Sequence, residues 1–83
     1  MNKEETRMRI GQRVKVLRLQ AGLSQEELAE RAGLGRSHIG RIEDGRYGVQ
    51  TETLQQVAEA LGMTVDITDP ALQDLAPLKR LTP

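Results

Sequence analysis

The stretch from Ser24 to Gly45, SQEELAERAGLGRSHIGRIEDG, restricts the possible folds more than any other part of the chain. Ser24 followed by Glu27 is a reciprocal helix start: the hydroxyl takes the backbone N–H three residues on, and the carboxylate returns to the N–H of Ser24. Leu23 and Leu28 flank this cap as a hydrophobic staple. Gly33 supplies the left-handed residue that a helix C-terminus favours, and a second helix, from about Arg36 to Asp44, closes at Gly45. The stretch therefore reads as two short helices around a tight turn.

At about 100° per residue, Arg36, Ser37, Gly40, Arg41 and Asp44 share one face of the second helix, with His38, Ile39 and Ile42 opposite. A short helix with two arginines, small residues between them and an apolar back suits the DNA major groove. Ser24, Gln25, Leu28, Ala29, Gly33, Leu34, Ile39, Ile42, Glu43 and Gly45 follow the pattern S-Q-x-x-L-A-x-x-x-G-hydrophobic-x-x-x-x-I-x-x-I-E-x-G. In this the stretch resembles the Cro/repressor (XRE) helix-turn-helix family, over Ile10 to about Gly62. The resemblance implies an all-α, lambda-repressor-like DNA-binding domain of four to five helices. It also implies a phosphate contact by Gln25 and an ion pair between Arg18 and Glu43 that ties the first helix to the third.

The chain has 83 residues, which leaves room for one domain of 8–62 with flanking segments, and a chain this short buries only about 60–65% of its unfolded surface. Cysteine is absent, so disulfides and thiolate metal sites are excluded, and around the one histidine no imidazole-rich metal cluster or nucleophile–base pair can be assembled; neither cofactor nor metal is expected. No signal peptide or membrane span is visible, and a cytoplasmic location follows by default. Net charge is zero, but residues 1 to 50 carry ten Lys/Arg against seven Asp/Glu, while residues 51 to 83 carry two against five. The first half is the nucleic-acid side. Tyr47 is the single aromatic, which removes the stacking platforms of single-strand binding and leaves duplex DNA as the better partner.

Residues 1–7 read as a flexible arm, either a solvated tail or, with Lys3, Arg7 and Arg9, a minor-groove probe. A helix is expected from Met8 to Ala21, with Ile10, Val14, Leu17 and Ala21 facing inward and Gly22 as the stop. Val16 and Leu19 lie away from that stripe, as isolated surface apolars or as a landing site for the C-terminal segment or a partner. His38 is expected to be packed and hydrogen-bonded. Asp44 is expected to cap or turn the chain before Gly45. In the loop GRYGVQ, Arg46 and Tyr47 are candidate phosphate donors, with a lid on the core as the other reading of Tyr47.

A fourth helix is expected over about Thr51–Leu61, with Leu54, Val57, Ala58 and Leu61 inward and Gly62 as its end. Met63–Thr68 alternates apolar and polar residues and reads as a short strand. A lone strand needs another edge, and a second copy of the chain offers one, which makes Met63, Val65 and Ile67 candidate dimerisation residues. The arrangement is similar to that of HipB-type antitoxins; an extended tail packed in cis is the other possibility. Asp69 and Pro70 can start a short terminal helix running to Ala76, with Leu72, Leu75, Leu78 and Leu81 as an apolar side.

The resulting expectation is a homodimeric, sequence-specific duplex-DNA-binding repressor on an inverted-repeat operator. Arg36, Ser37, Gly40 and Arg41 would contact bases, and Gln25, Arg46 and Tyr47 phosphates. The competing readings are an antitoxin that binds a toxin through residues 63–83 and a protein-binding adaptor that does not read DNA. An enzyme is not expected.

Overall fold

Local hydrogen-bond devices set most helix boundaries in this chain. The computed structural model describes residues 2–46, 48–65 and 78–80. It contains α1 (Lys3–Gln20), α2 (Gln25–Ala32), α3 (Arg36–Asp44) and α4 (Thr51–Ala60), followed by two short strands, β1 (Met63–Val65) and β2 (Leu78–Arg80). This is the expected all-α, lambda-repressor-like bundle with a short C-terminal strand. The terminal helix expected over residues 69–76 lies outside the described residues.

The first helix begins five residues earlier than expected, so the segment taken for a flexible arm is largely helical. Asn2 is the N-cap: its side-chain oxygen accepts from the Glu5 N–H at 2.8 Å, and Glu4 and Glu5 place negative charge in the first turn. Thr6 is buried and its hydroxyl donates to the Asn2 carbonyl at 3.0 Å, which holds this turn in place. At the other end Gly22 is left-handed; its N–H reaches the Leu19 carbonyl, and the Leu23 N–H reaches that of Arg18.

In α2 both halves of the expected capping box form, with Glu27 N–H to Ser24 Oγ at 3.0 Å and Ser24 N–H to the Glu27 carboxylate at 2.9 Å. The helix stops at left-handed Gly33, where the N–H of Gly33 and of Leu34 close on the carbonyls of Glu30 and Ala29. Gly33 to Gly35 then turn the chain into α3. Gln56 of α4 donates to the Ala32 carbonyl and helps fasten α4 beside α2.

The core gathers around Val14, Leu28, Ile39 and Val57, one from each helix, all fully buried. Burying such side chains contributes about 1.5–3 kcal/mol each. Met63 and Val65 extend this core from β1.

The strand prediction needs a correction. β1 pairs antiparallel with β2 of the same chain, in the register Met63–Arg80, Thr64–Lys79 and Val65–Leu78. The edge assigned to a second copy is filled by the chain's own C-terminal segment, and Met63 and Val65 are buried within one protomer. Leu78, read as part of a helical stripe, lies in β2 instead. Ile67 lies outside the described residues.

Candidate nucleic-acid interface

Helix α3 is seated on α1 by a close approach and by a buried ion pair. A Cβ added to Gly11 would collide with the Ile42 carbonyl oxygen and come within 2.8 Å of that of Glu43. Only a glycine lets α1 cross the last turn of α3 at this distance. Gly45 adds a second such point: it is left-handed, and a Cβ there would fall 2.7 Å from the Met8 Cα.

Arg18 and Glu43 then meet side by side. The guanidinium donates through Nε at 2.7 Å and Nη2 at 3.1 Å to the two carboxylate oxygens, and through Nη1 to the Leu23 carbonyl at 2.8 Å. The two side chains are only 9% and 4% exposed. The bond to Glu43 holds the Arg18 pKa above its ordinary value against the opposing effect of burial, and attraction to the same carboxylate adds to the rise. The pair fixes the rotation of α3 about its axis relative to α1 and to the α1–α2 turn.

Gln25, expected to face a phosphate, takes part in this arrangement: its Nε2 donates to Glu43 Oε1 at 3.2 Å. One of its two amide hydrogens is thereby committed within the protein, and the other remains for an outside acceptor. Its Oε1 lies beside Gly40, 4.0 Å from where a Cβ would stand.

On the opposite side of α3, Arg36, Ser37, Arg41 and Asp44 are exposed, and Gly40 is half-buried at the edge next to Gln25. The three side chains expected to meet bases, Arg36, Ser37 and Arg41, therefore stand together on one outward arc, with Gly40 at its edge. Arg46 is exposed in the loop after α3, while Tyr47 lies outside the described residues.

Sequence reasoning missed two features of this face. His38 is exposed rather than packed. It lies about 200° around from Arg36, a flank position that helical geometry alone leaves open to either side. Arg7, assigned to a mobile arm, belongs to α1 and brings its guanidinium against Gly48, within 3.4 Å of where a Cβ there would be. The early N-cap at Asn2, with a glutamate three residues on, is the sequence signal that could have placed Arg7 on a helix.

Among the described residues no cluster of three His, Asp or Glu side chains is placed to hold a metal ion, and no helix is long and apolar enough to cross a membrane.

The helix-turn-helix domain model matches residues 9–71. The immunity repressor protein of Bacillus phage phi105 is 47% identical over 58 residues, which make up 70% of this chain and 40% of that protein. This chain thus spans well under two thirds of that repressor's length. The restriction-modification controller protein C.AhdI from Aeromonas hydrophila superposes with a TM-score of 0.64 at 42% identity, covering 66% of this chain and 83% of that one. The hypothetical transcription factor NHTF from Neisseria superposes with a TM-score of 0.71 at 28% identity, covering 93% and 82%. With its capped helix pair, its seated third helix and a family match over most of its length, the chain belongs to the helix-turn-helix domain family, in the Cro/repressor (XRE) form.

Proposed function

We propose that this chain is a sequence-specific binder of duplex DNA that represses transcription as a homodimer on an inverted-repeat operator. The observation that carries the reading is the outward arc of α3: Arg36, Ser37 and Arg41 are exposed on a helix whose other side is locked by Ile39, Ile42 and Glu43. A rigid helix that presents long cationic donors beside small residues matches what the major groove offers. Arg36 and Arg41 pair with guanine O6 and N7, Ser37 serves as donor or acceptor, and Gly40 permits close approach. The free amide hydrogen of Gln25, at the N-terminus of α2, and the donors of Arg46 and Tyr47 hold phosphates. The repressor name of the phage relative supports the regulatory part.

The dimer follows from the information content of the reading surface. A nine-residue helix touches only a few base pairs, and a two-fold pair doubles that number with half-sites about 34 Å, one helical turn, apart. The decisive experiment is selection of bound duplexes from a random library, followed by titration at two salt concentrations. A regulator returns an enriched inverted repeat with centres about 10 bp apart. An enriched single half-site would remove the dimer, and no enriched sequence at all would remove the DNA-reading function.

A further inference from the structure

The single histidine of the chain stands on the wall of a groove whose rim also carries Ser37 and Arg41, and no contact above has been given to the histidine itself. His38 lines an open groove between α3 and the loop that follows it, together with Ser37, Arg41, Ile42, Gly48 and Val49. Ile42 and half-buried Val49 form its apolar floor, and Ser37, His38 and Arg41 its polar rim. The charged groups around it are largely cationic. Arg41 lines it from α3, and the Arg7 guanidinium of α1 lies against Gly48. Arg46 is exposed in the loop, whereas Arg36, about 200° around α3 from His38, lines no part of the groove. The carboxylates of Asp44 in α3 and Glu52 in α4 are exposed and line no part of the groove.

On a helix that enters the major groove, the flank that turns away from the base-contacting arc towards the following loop faces the sugar-phosphate backbone, and His38 stands on that flank. A phosphodiester beside His38 meets the ring as a donor, and its charge favours imidazolium over the neutral ring.

We propose that His38 is a proton-coupled DNA contact: its imidazolium donates to a backbone phosphate lying across the groove, so that binding takes up a proton. The proposal rests on the duplex-DNA reading above and adds to it a pH dependence carried by one residue. The sequence makes that dependence easy to isolate, since it holds one histidine and no cysteine. No other side-chain type has an ordinary titration range between pH 5 and 8, and phosphodiesters keep their charge throughout.

The test measures binding of the full chain, by fluorescence anisotropy, to the library-selected duplex and to a scrambled duplex of equal length. It compares pH 5.5 with pH 7.5 at matched ionic strengths. The wild-type protein is expected to tighten on both duplexes by about tenfold per bound protomer at the lower pH, because a phosphate contact is blind to sequence. Its plot of log affinity against log salt steepens by about 0.9 per protomer. His38→Gln keeps a donor but cannot gain a proton, so its affinity and slope stay the same at both pH values. His38→Arg carries a permanent cation and keeps the steep slope at both. The proposal is overturned if the wild type and His38→Gln shift alike, or if neither shifts, while the wild type still prefers the selected duplex. If the wild type prefers neither duplex at either pH, the DNA-reading assignment itself fails and this contact fails with it.

Discussion

On the inner side of α3, Ile39 has no exposed surface, Ile42 has 5%, and Glu43 accepts hydrogen bonds from two other helices. On the outer side Arg36, Ser37, His38 and Arg41 are all exposed within the same nine residues. The inner groups set where the helix lies and how it is rotated. The outer ones contribute little to that task, since their substitution removes neither buried area nor a buried hydrogen bond. On one helix the scaffold groups thus stand apart from the groups proposed to read DNA, and the carboxylate of Glu43 and the amide of Gln25 mark the border between them.

That separation can be broken most severely at Arg18. Arg18→Ala leaves the Glu43 carboxylate buried without its cation and the Leu23 carbonyl without its donor, which should cost about 3–5 kcal/mol and show as a large drop in melting temperature. Loss of only a few tenths of a kcal/mol would mean that the pair is solvated in solution. Next comes Gly11→Ala. Its methyl group meets backbone carbonyls rather than a flexible side chain, so α1 and α3 must move apart at a cost of about 1–3 kcal/mol. A neutral result in chemical denaturation would show that the helix crossing is looser than described.

Gly40→Ala sharpens the comparison from the outer side. Outside its own stretch of helix its methyl group would find nothing closer than Gln25 Oε1 at 4.0 Å, and helix propensity favours alanine by up to about 1 kcal/mol, so the variant should melt at an equal or higher temperature. If Gly40 is present to let DNA approach, the same variant binds its selected duplex more weakly, and stability and recognition move in opposite directions. Unchanged binding would take Gly40 out of the reading surface.

The smallest effect expected is at the capping box of α2. The Ser24 backbone N–H, and then its hydroxyl, hold the Glu27 carboxyl below its ordinary pKa. A depressed carboxylate pKa stabilises the fold above its unfolded value of about 4.3, and that contribution is lost as pH falls through the lower folded value. The wild type should therefore lose slightly more stability than Glu27→Gln between pH 5 and pH 3. Parallel pH profiles would show that the cap is not formed in solution.

How far each part could be read from sequence follows the same physical division. The boundaries of α2 and α3 were legible because Ser24, Glu27, Gly33 and Gly45 act within a few residues of themselves, and local hydrogen bonds leave local signatures. The Arg18–Glu43 pair is separated by 25 positions and came from family resemblance. Asn2 and Glu5 carry a local signal for the start of α1, but residues 1–7 have no apolar periodicity, and it is that lack that makes them read as an arm. Gly11 was legible in principle, since a glycine in a helix interior costs stability unless something approaches closely. The pairing of β1 was not, because neither strand encodes its partner. The demand for a second edge was read correctly, yet LKR at 78–80, which meets it, has no strand signal of its own. His38 sits where the buried and exposed arcs of α3 meet, so its side of the helix depends on how α3 is rolled, a property set by Glu43 and Gly11.

The central claim is that the outer arc of α3 reads bases while the rest of the helix holds it still. Arg41→Ala tests this most directly, through the ratio of affinities for the selected and the scrambled duplex, measured beside the melting temperature. The account predicts a ratio lower by about 1–3 kcal/mol, roughly 5- to 150-fold, with stability unchanged within about 0.5 kcal/mol. Equal weakening on both duplexes, with the ratio intact, would contradict it and reduce Arg41 to a contact with the phosphate backbone.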